Sequence, residues 1–222
     1  MIKAAIFDFD GTLVDLFDIH LAAFQVVARK YFNLEFTRAD LDAGYGMVGR
    51  DIMMLFLSRH GLSPDEAVVK KAVEERRDLV AENIGGGISL LPGAGELLKS
   101  LKKAGFKVGI ATSCSKRICE LVFALPLFDG LLDAITMGTE VARGKPDPEI
   151  YLETAKRLGV KPEECVVFED SVHGVRAGKA AGMRVIAVTT GHDGRESLLA
   201  ERPDRIVASM KEVSVDDVRS LS

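Results

Sequence analysis

An apolar run with no partner in its own neighbourhood constrains this chain more than any other feature. Residues 2–7, Ile2-Lys3-Ala4-Ala5-Ile6-Phe7, read as a strand, yet from Leu16 to about Asn83 every strong pattern that follows is helical. Leu21, Phe24, Val27 and Ala28 recur at helical spacing, as do Ile52, Leu55, Phe56 and Arg59. Ser63-Pro64-Asp65-Glu66 supplies a cap residue, a proline at the first helical position and a glutamate three residues after the cap, which predicts a further helix to about Asn83. Strand and helix alternate only later, where apolar runs at 106–111, 165–168 and 184–188 interleave with helical stretches at 94–104, 148–158 and 172–181. That alternation predicts βαβ units around a parallel sheet with helices on both faces. The first strand can pair only with this later sheet, so the helical region becomes an insertion. The expected fold is α/β: a doubly wound, Rossmann-like parallel sheet with an inserted helical cap. Residues 1–15 and 88–222 form the expected catalytic core, and 16–87 the cap with its hinge segments. Gly85-Gly86-Gly87, with the greatest backbone freedom available, is one expected hinge, and Asp15-Leu16 the other.

The charge balance narrows the function. With 29 Lys+Arg against 33 Asp+Glu and no basic block, the chain lacks the electrostatic footprint of a nucleic-acid binder. The first apolar run meets Asp8 and Asp10 at once, too soon for a signal peptide or a membrane span, so no membrane partner is expected. Three cysteines, Cys114, Cys119 and Cys165, are an odd number without metal-ligand or disulfide-scaffold spacing, which fits a reducing cytoplasm and buried thiols. The expectation is a cytoplasmic monomer or weak dimer acting on a small molecule.

In an open parallel sheet the chemistry sits at the carboxyl ends of the strands. The first run ends in Asp8-Phe9-Asp10-Gly11-Thr12, the second in Thr112-Ser113-Cys114-Ser115, and the third in Glu169-Asp170-Ser171. Between the last two, Gly144-Lys145-Pro146-Asp147-Pro148 offers a cation that its prolines keep out of a helix. Four carboxylates on one rim need a cation to offset their repulsion, and an oxygen-rich set with little His suits Mg²⁺ above Zn²⁺. A phosphate ester is then the expected substrate. Lys145 and Thr112 can hold its phosphoryl oxygens, Asp8 can attack as a nucleophile to give an aspartyl-phosphate, and Asp10 can protonate the leaving oxygen and later activate water.

These ordered motifs, Asp8-Phe9-Asp10-Gly11-Thr12, Thr112, Lys145 and Glu169-Asp170, resemble those of the haloacid dehalogenase superfamily, in the branch whose small helical cap follows the first strand. The resemblance implies Asp8 as nucleophile, Asp10 as general acid and base, and Thr112, Ser113 and Lys145 around the phosphate. It further implies Mg²⁺ held by Asp8, the Asp10 main-chain carbonyl and Asp170, with Glu169 a ligand or a residue behind the ligands. His20 and Gly46-Met47-Val48-Gly49-Arg50 resemble the cap of β-phosphoglucomutase and nearby sugar-phosphate phosphatases, which implies substrate contacts from His20, Gly46 and Arg50. Arg76 or Arg77 stands where that mutase cap has a lysine, while Leu16 departs from the Ser or Thr of relatives. The implied activity is a Mg²⁺-dependent phosphatase of small phosphorylated metabolites, sugar phosphates first. The alternative is β-phosphoglucomutase, which moves the phosphoryl group between C1 and C6 of glucose. A phospho-accepting receiver domain shares the acidic pocket but has no cap, and carbon–halogen cleavage would leave Asp10 without a purpose.

Overall fold

In a computed structural model the described residues are 1–44, 47–63, 65–84, 88–114 and 116–221. The chain runs β1 (Ala4–Phe7), α1 (Phe17–Phe32), α2 (Arg38–Asp42), α3 (Gly49–Arg59), α4 (Glu66–Ile84), α5 (Ala94–Lys103), β2 (Lys107–Thr112), α6 (Lys116–Phe123), β3 (Ala134–Met137), α7 (Glu149–Leu158), β4 (Cys165–Glu169), α8 (Val172–Ala180), β5 (Arg184–Val188), α9 (Arg195–Ala200), β6 (Arg205–Val207) and α10 (Val215–Ser220). The strands form one parallel sheet in the order β3-β2-β1-β4-β5-β6. The isolated first strand thus becomes a central one: Phe7 sits opposite Ile110 of β2 and Phe168 of β4. β3 and β6 lie outside the runs expected from sequence. Only Thr136 of β3 is fully enclosed and β6 has three residues, so neither carries the apolar signature of the strands between them.

Both faces of the sheet are covered, which is why its strands read as unbroken apolar runs. On one face Ala5, Phe7, Ile110 and Phe168 pack with Leu97, Leu98 and Leu101 of α5 and Ile118 of α6. On the other, Ala4, Ile6 and Val167 meet Ile150 and Ala155 of α7 and Val175 of α8. A third cluster, built from Phe17, Phe24, Phe36, Phe56, Leu57 and Val73, holds α1 to α4 together. Local signals set several boundaries. α1 ends at Asn33, left-handed at φ 53°, whose N–H donates to the Ala28 and Arg29 carbonyls, α2 opens on a capping box between Thr37 and Asp40, and α7 stops at left-handed Gly159. Pro64 of the expected cap of α4 and the glycines at 85–87 lie outside the described residues.

The order reversal about β1 opens a crevice at the carboxyl ends of β1, β2 and β4, where ligands bind in sheets of this kind. Phe7 and Phe168 stack there at 4.4 Å between ring centroids, both fully buried. Phe168→Ala is expected to cost about 3–5 kcal/mol of stability, read as a lowered urea midpoint with an unchanged slope.

Candidate active site

Each acid of the site is positioned by the end of a strand. Asp8 leaves β1 with its N–H donating to the Phe168 carbonyl (2.9 Å), so the β1–β4 ladder fixes where its carboxylate begins. Gly11, at φ 87°, turns the chain back, and Thr12 Oγ1 then donates to Asp170 Oδ1 (2.6 Å), tying the loop after β1 to the loop after β4. The Leu16 N–H donates to Asp10 Oδ1 (2.7 Å), so the main chain supplies a hydrogen bond at the position where the side chain is apolar.

The buried Lys145 ammonium bonds Asp8 and, at 2.6 Å, Glu169. Burial works against its charge, but Asp8 and Glu169 together outweigh it and hold its pKa above the ordinary value. Both Glu169 oxygens are fully engaged. Oε1 accepts from Lys145 and from Tyr151 Oη (2.7 Å), and Oε2 from the N–H groups of Asp170 and Ser171 and the Ser171 hydroxyl (3.0 Å each). One ammonium among several buried acids is too little. Burial pushes the Asp8 carboxyl up to about 7, with Lys145 pulling down and Glu169 and Asp10 pushing up. Burial, then Glu169 and Asp8, raise Asp170 well above the usual carboxylate range.

That imbalance is what a divalent cation would relieve. Oxygens of Asp8, Glu169 and Asp170 lie within 4.8 Å of one another, and Asp170 Oδ2 is buried without a partner among the described residues. A Cβ on Gly191 would run into that oxygen, so the glycine leaves the space beside it open. An all-oxygen set with an unfilled acceptor fits Mg²⁺.

A cavity of about 50 Å³ brings Asp8, Asp10, Thr112, Ser113 and His20 together. Thr112 Oγ1 accepts from the Cys114 N–H (3.0 Å), which sets the loop after β2. His20 Nε2 lies 3.1 Å from Asp10 Oδ2, and Arg76 Nη2 donates to His20 Nδ1 at 2.7 Å. Nδ1 therefore accepts and Nε2 carries the proton that reaches Asp10. Burial, reinforced by Arg76, lowers the His20 pKa and keeps the ring neutral.

Arg50 does not join them. Its guanidinium pairs with Glu66 at 2.7 Å and is about half exposed, with a side-chain exposure of 49%. The reason is helical phase: Gly49 and Ile52 face the cavity, and Arg50 lies 100° round the α3 axis from Gly49. The cation lining the cavity is Arg76, and the sequence carries its signal, because Val69, Ala72, Val73, Arg76 and Val80 form one apolar stripe on α4 with a charge inside it. Gly46 and Ser115 lie outside the described residues. Tyr151 and Gly174 belong to the site's framework without appearing among the expected residues, and Thr12, present in the first motif, carries no expected role of its own.

Fold and site define an α/β enzyme of the doubly wound class with helices inserted after its first strand. A sequence profile described as haloacid dehalogenase-like hydrolase matches residues 5–188, and the chain belongs to that family. It is 33% identical to a phosphorylated carbohydrates phosphatase of Thermotoga maritima, over 95% of this chain and 99% of that one. To the β-phosphoglucomutase of Bacillus subtilis it is 31% identical, over 85% of this chain and 84% of that one. The crystal structure of β-phosphoglucomutase from Clostridium difficile superposes with a TM-score of 0.88 at 25% identity, covering 99% of this chain and 96% of that one. The chain is thus an enzyme of the branch that includes phosphatases and phosphomutases. No helix among its described residues is long and apolar enough to cross a membrane.

Gly174, in the first turn of α8, offers a direct check on the framework. A Cβ there would collide with the Glu169 carboxylate. Gly174→Ala is expected to lower stability by about 1–3 kcal/mol and to reduce turnover as Glu169 loses its hold on Lys145, measured by thermal unfolding and phosphate release on the same preparation.

Proposed function

We propose that this protein is a Mg²⁺-dependent phosphatase of small phosphorylated metabolites, sugar phosphates foremost, working through an aspartyl-phosphate on Asp8 in the cytoplasm. The observation that carries the reading is the excess of buried carboxylate over cation around Asp8, which lines the cavity, with Asp170 Oδ2 unfilled among the described residues. The names of the carbohydrate phosphatase and mutase relatives support the substrate class.

Asp8, Asp170 and the Asp10 carbonyl are the proposed ligands of Mg²⁺, with Glu169 behind them because its oxygens are engaged by other donors. When bound, the ion offsets phosphoryl charge and draws the Asp8 carboxyl toward its anion. Asp8 then attacks phosphorus, and the bond to the leaving oxygen breaks as Asp10 gives that oxygen a proton. Asp10, held by the Leu16 N–H and by His20, next takes a proton from the water that attacks the acyl phosphate and returns Asp8 and free phosphate. Lys145, Thr112 and Ser113 hold the remaining phosphoryl oxygens. A cavity of about 50 Å³ has room for only a few water-sized groups, so substrate entry requires movement of the helical segment. We take 16–87 as a cap moving on a core of 1–15 and 88–222. The separate α1–α4 cluster supports this division, and Asp15-Leu16 is one connection about which the cap turns.

The test is a panel of sugar phosphates and phosphoglycolate, assayed with Mg²⁺ and with EDTA. Free phosphate is followed throughout, together with glucose 6-phosphate formed from β-glucose 1-phosphate. Phosphate release that needs Mg²⁺, with a Tm raised by the ion alone, is expected. Glucose 6-phosphate formed without phosphate release would make the enzyme a mutase, and undiminished activity in EDTA would remove the metal from the account.

A further inference from the structure

The loop after β5 makes contacts that the phosphoryl chemistry does not account for. Consecutive residues from Thr190 to Asp193 reach four different places. Thr190 Oγ1 donates to the Gly11 carbonyl (2.6 Å), Gly191 leaves room for the Asp170 carboxylate, and Asp193 Oδ2 accepts the N–H of Val172 at the start of α8 (2.6 Å). His192 crosses to the inserted helices, where its ring stacks on Phe17 with 3.5 Å between centroids and 28° between planes. The Arg38 guanidinium of α2 lies 4.4 Å from the same Phe17 centroid and donates from Nη1 to His192 Nδ1 at 3.4 Å, while its Nη2 bonds Asp18 at 3.1 Å. Asp42 Oδ1 is 3.8 Å from the same imidazole nitrogen. A side chain of the β5 loop is thus seated in a socket built by α1 and α2.

The socket lies beside the hinge, because Phe17 directly follows Asp15-Leu16. Leu16, the residue before α1, is non-helical at φ −113° and ψ 9°, and its N–H holds Asp10 Oδ1 at 2.7 Å. Thr190 and His192, two residues apart on one loop, therefore hold the two ends of the segment 11–17 that carries this bond. At its near end the segment is closed on itself, with the Gly11 N–H donating to the Val14 carbonyl (2.6 Å) and the Val14 N–H to that of Phe9 (3.1 Å). At its far end the tie to the β5 loop is the ring stack on Phe17, which is 1% exposed. Since the small cavity admits substrate only when the helical segment moves, the bond from Leu16 to Asp10 has to form again at the same place in every turnover. Rotation about hinge residues sets no end point of its own; a seated side chain does. A stacked pair of this kind shifts an equilibrium by roughly two- to tenfold.

Building on the phosphatase reading, we propose that His192 is a positioning residue for the general acid: seated on Phe17, it stops the returning helices where the Leu16 N–H meets Asp10 Oδ1, which aims the Asp10 proton at the leaving oxygen. Asp10 Oδ2 faces His20 Nε2 at 3.1 Å, so the two donors together fix the plane of the carboxyl group, and loss of one lets it turn. The effect falls on one step. As the P–O bond breaks, the leaving oxygen keeps the electron pair and needs the Asp10 proton in proportion to its basicity.

The experiment measures kcat/KM, which runs to departure of the leaving group and leaves out hydrolysis of the acyl phosphate, for phenyl phosphate and 4-nitrophenyl phosphate. Phenoxide is the more basic and depends on Asp10, whereas 4-nitrophenoxide leaves readily without a proton. His192→Ala is expected to lower kcat/KM about tenfold on phenyl phosphate and less than about threefold on the nitro ester. His192→Phe, which keeps a stacking ring, should restore most of the difference. Phe17→Leu should give the same selective loss, with little added when it is combined with His192→Ala. Equal losses on both esters, losses that multiply in the double variant, or an unchanged rate in His192→Ala overturn the proposal. Where neither aryl ester is turned over, the inference is read by NMR from the Leu16 amide proton of the resting enzyme. That signal should move upfield in His192→Ala as its bond to Asp10 lengthens, and an unmoved signal overturns the proposal. Failure of the phosphatase reading alone would show as no phosphate released from any ester while the Leu16 signal still responds to His192.

Discussion

The buried Lys145 ammonium, lodged between Asp8 and Glu169, is the interaction on which the rest of the site depends. Three carboxylates packed into the ends of β1 and β4 would otherwise repel one another in a low dielectric. The lysine offsets part of that charge and leaves a remainder, visible in the raised Asp8 and Asp170 carboxyls. A structural salt bridge would be neutralised. This one is left short of positive charge, which a bound divalent cation would supply.

The fold serves that condition through close approaches rather than through bulk. Glu169 keeps its orientation because Tyr151, the Asp170 and Ser171 amides and the Ser171 hydroxyl surround it, and Gly174 lets α8 start directly upon it. Gly191 performs the same service beside Asp170. On the opposite wall, Gly49 admits Arg76, and Arg76 in turn fixes the His20 tautomer that presents a proton to Asp10. The inserted helices therefore reach the reacting acids through one continuous chain of contacts, from α4 through α1 to the loop after β1.

Much of this is legible in the sequence, for identifiable reasons. A strand flanked only by helices had to pair across the insertion, and strands covered on both faces announce themselves as apolar runs. β2, β4 and β5 could be located to within a residue, whereas the edge strands β3 and β6 could not, since an edge strand buries too little to impose a pattern. The acids at the strand ends were legible because topology alone brings them together. The helical lining was harder. Whether Arg50 faces the cavity turns on where α3 begins, since one residue of phase rotates a side chain by about 100°. The buried stripe Val69, Ala72, Val73, Arg76 and Val80 held the answer, because a charge inside an apolar stripe is either paired or functional.

The central claim is that Lys145 and its neighbouring acids hold Asp8 ready to accept a phosphoryl group. Its most direct test is to quench the enzyme during turnover of a phosphate ester, reduce it with borohydride, and map the product by mass spectrometry. An acyl phosphate on Asp8 is converted to homoserine at position 8, and that is the result the account predicts. Homoserine at another acid, or turnover with no reducible acyl phosphate while substrate is saturating, would contradict it.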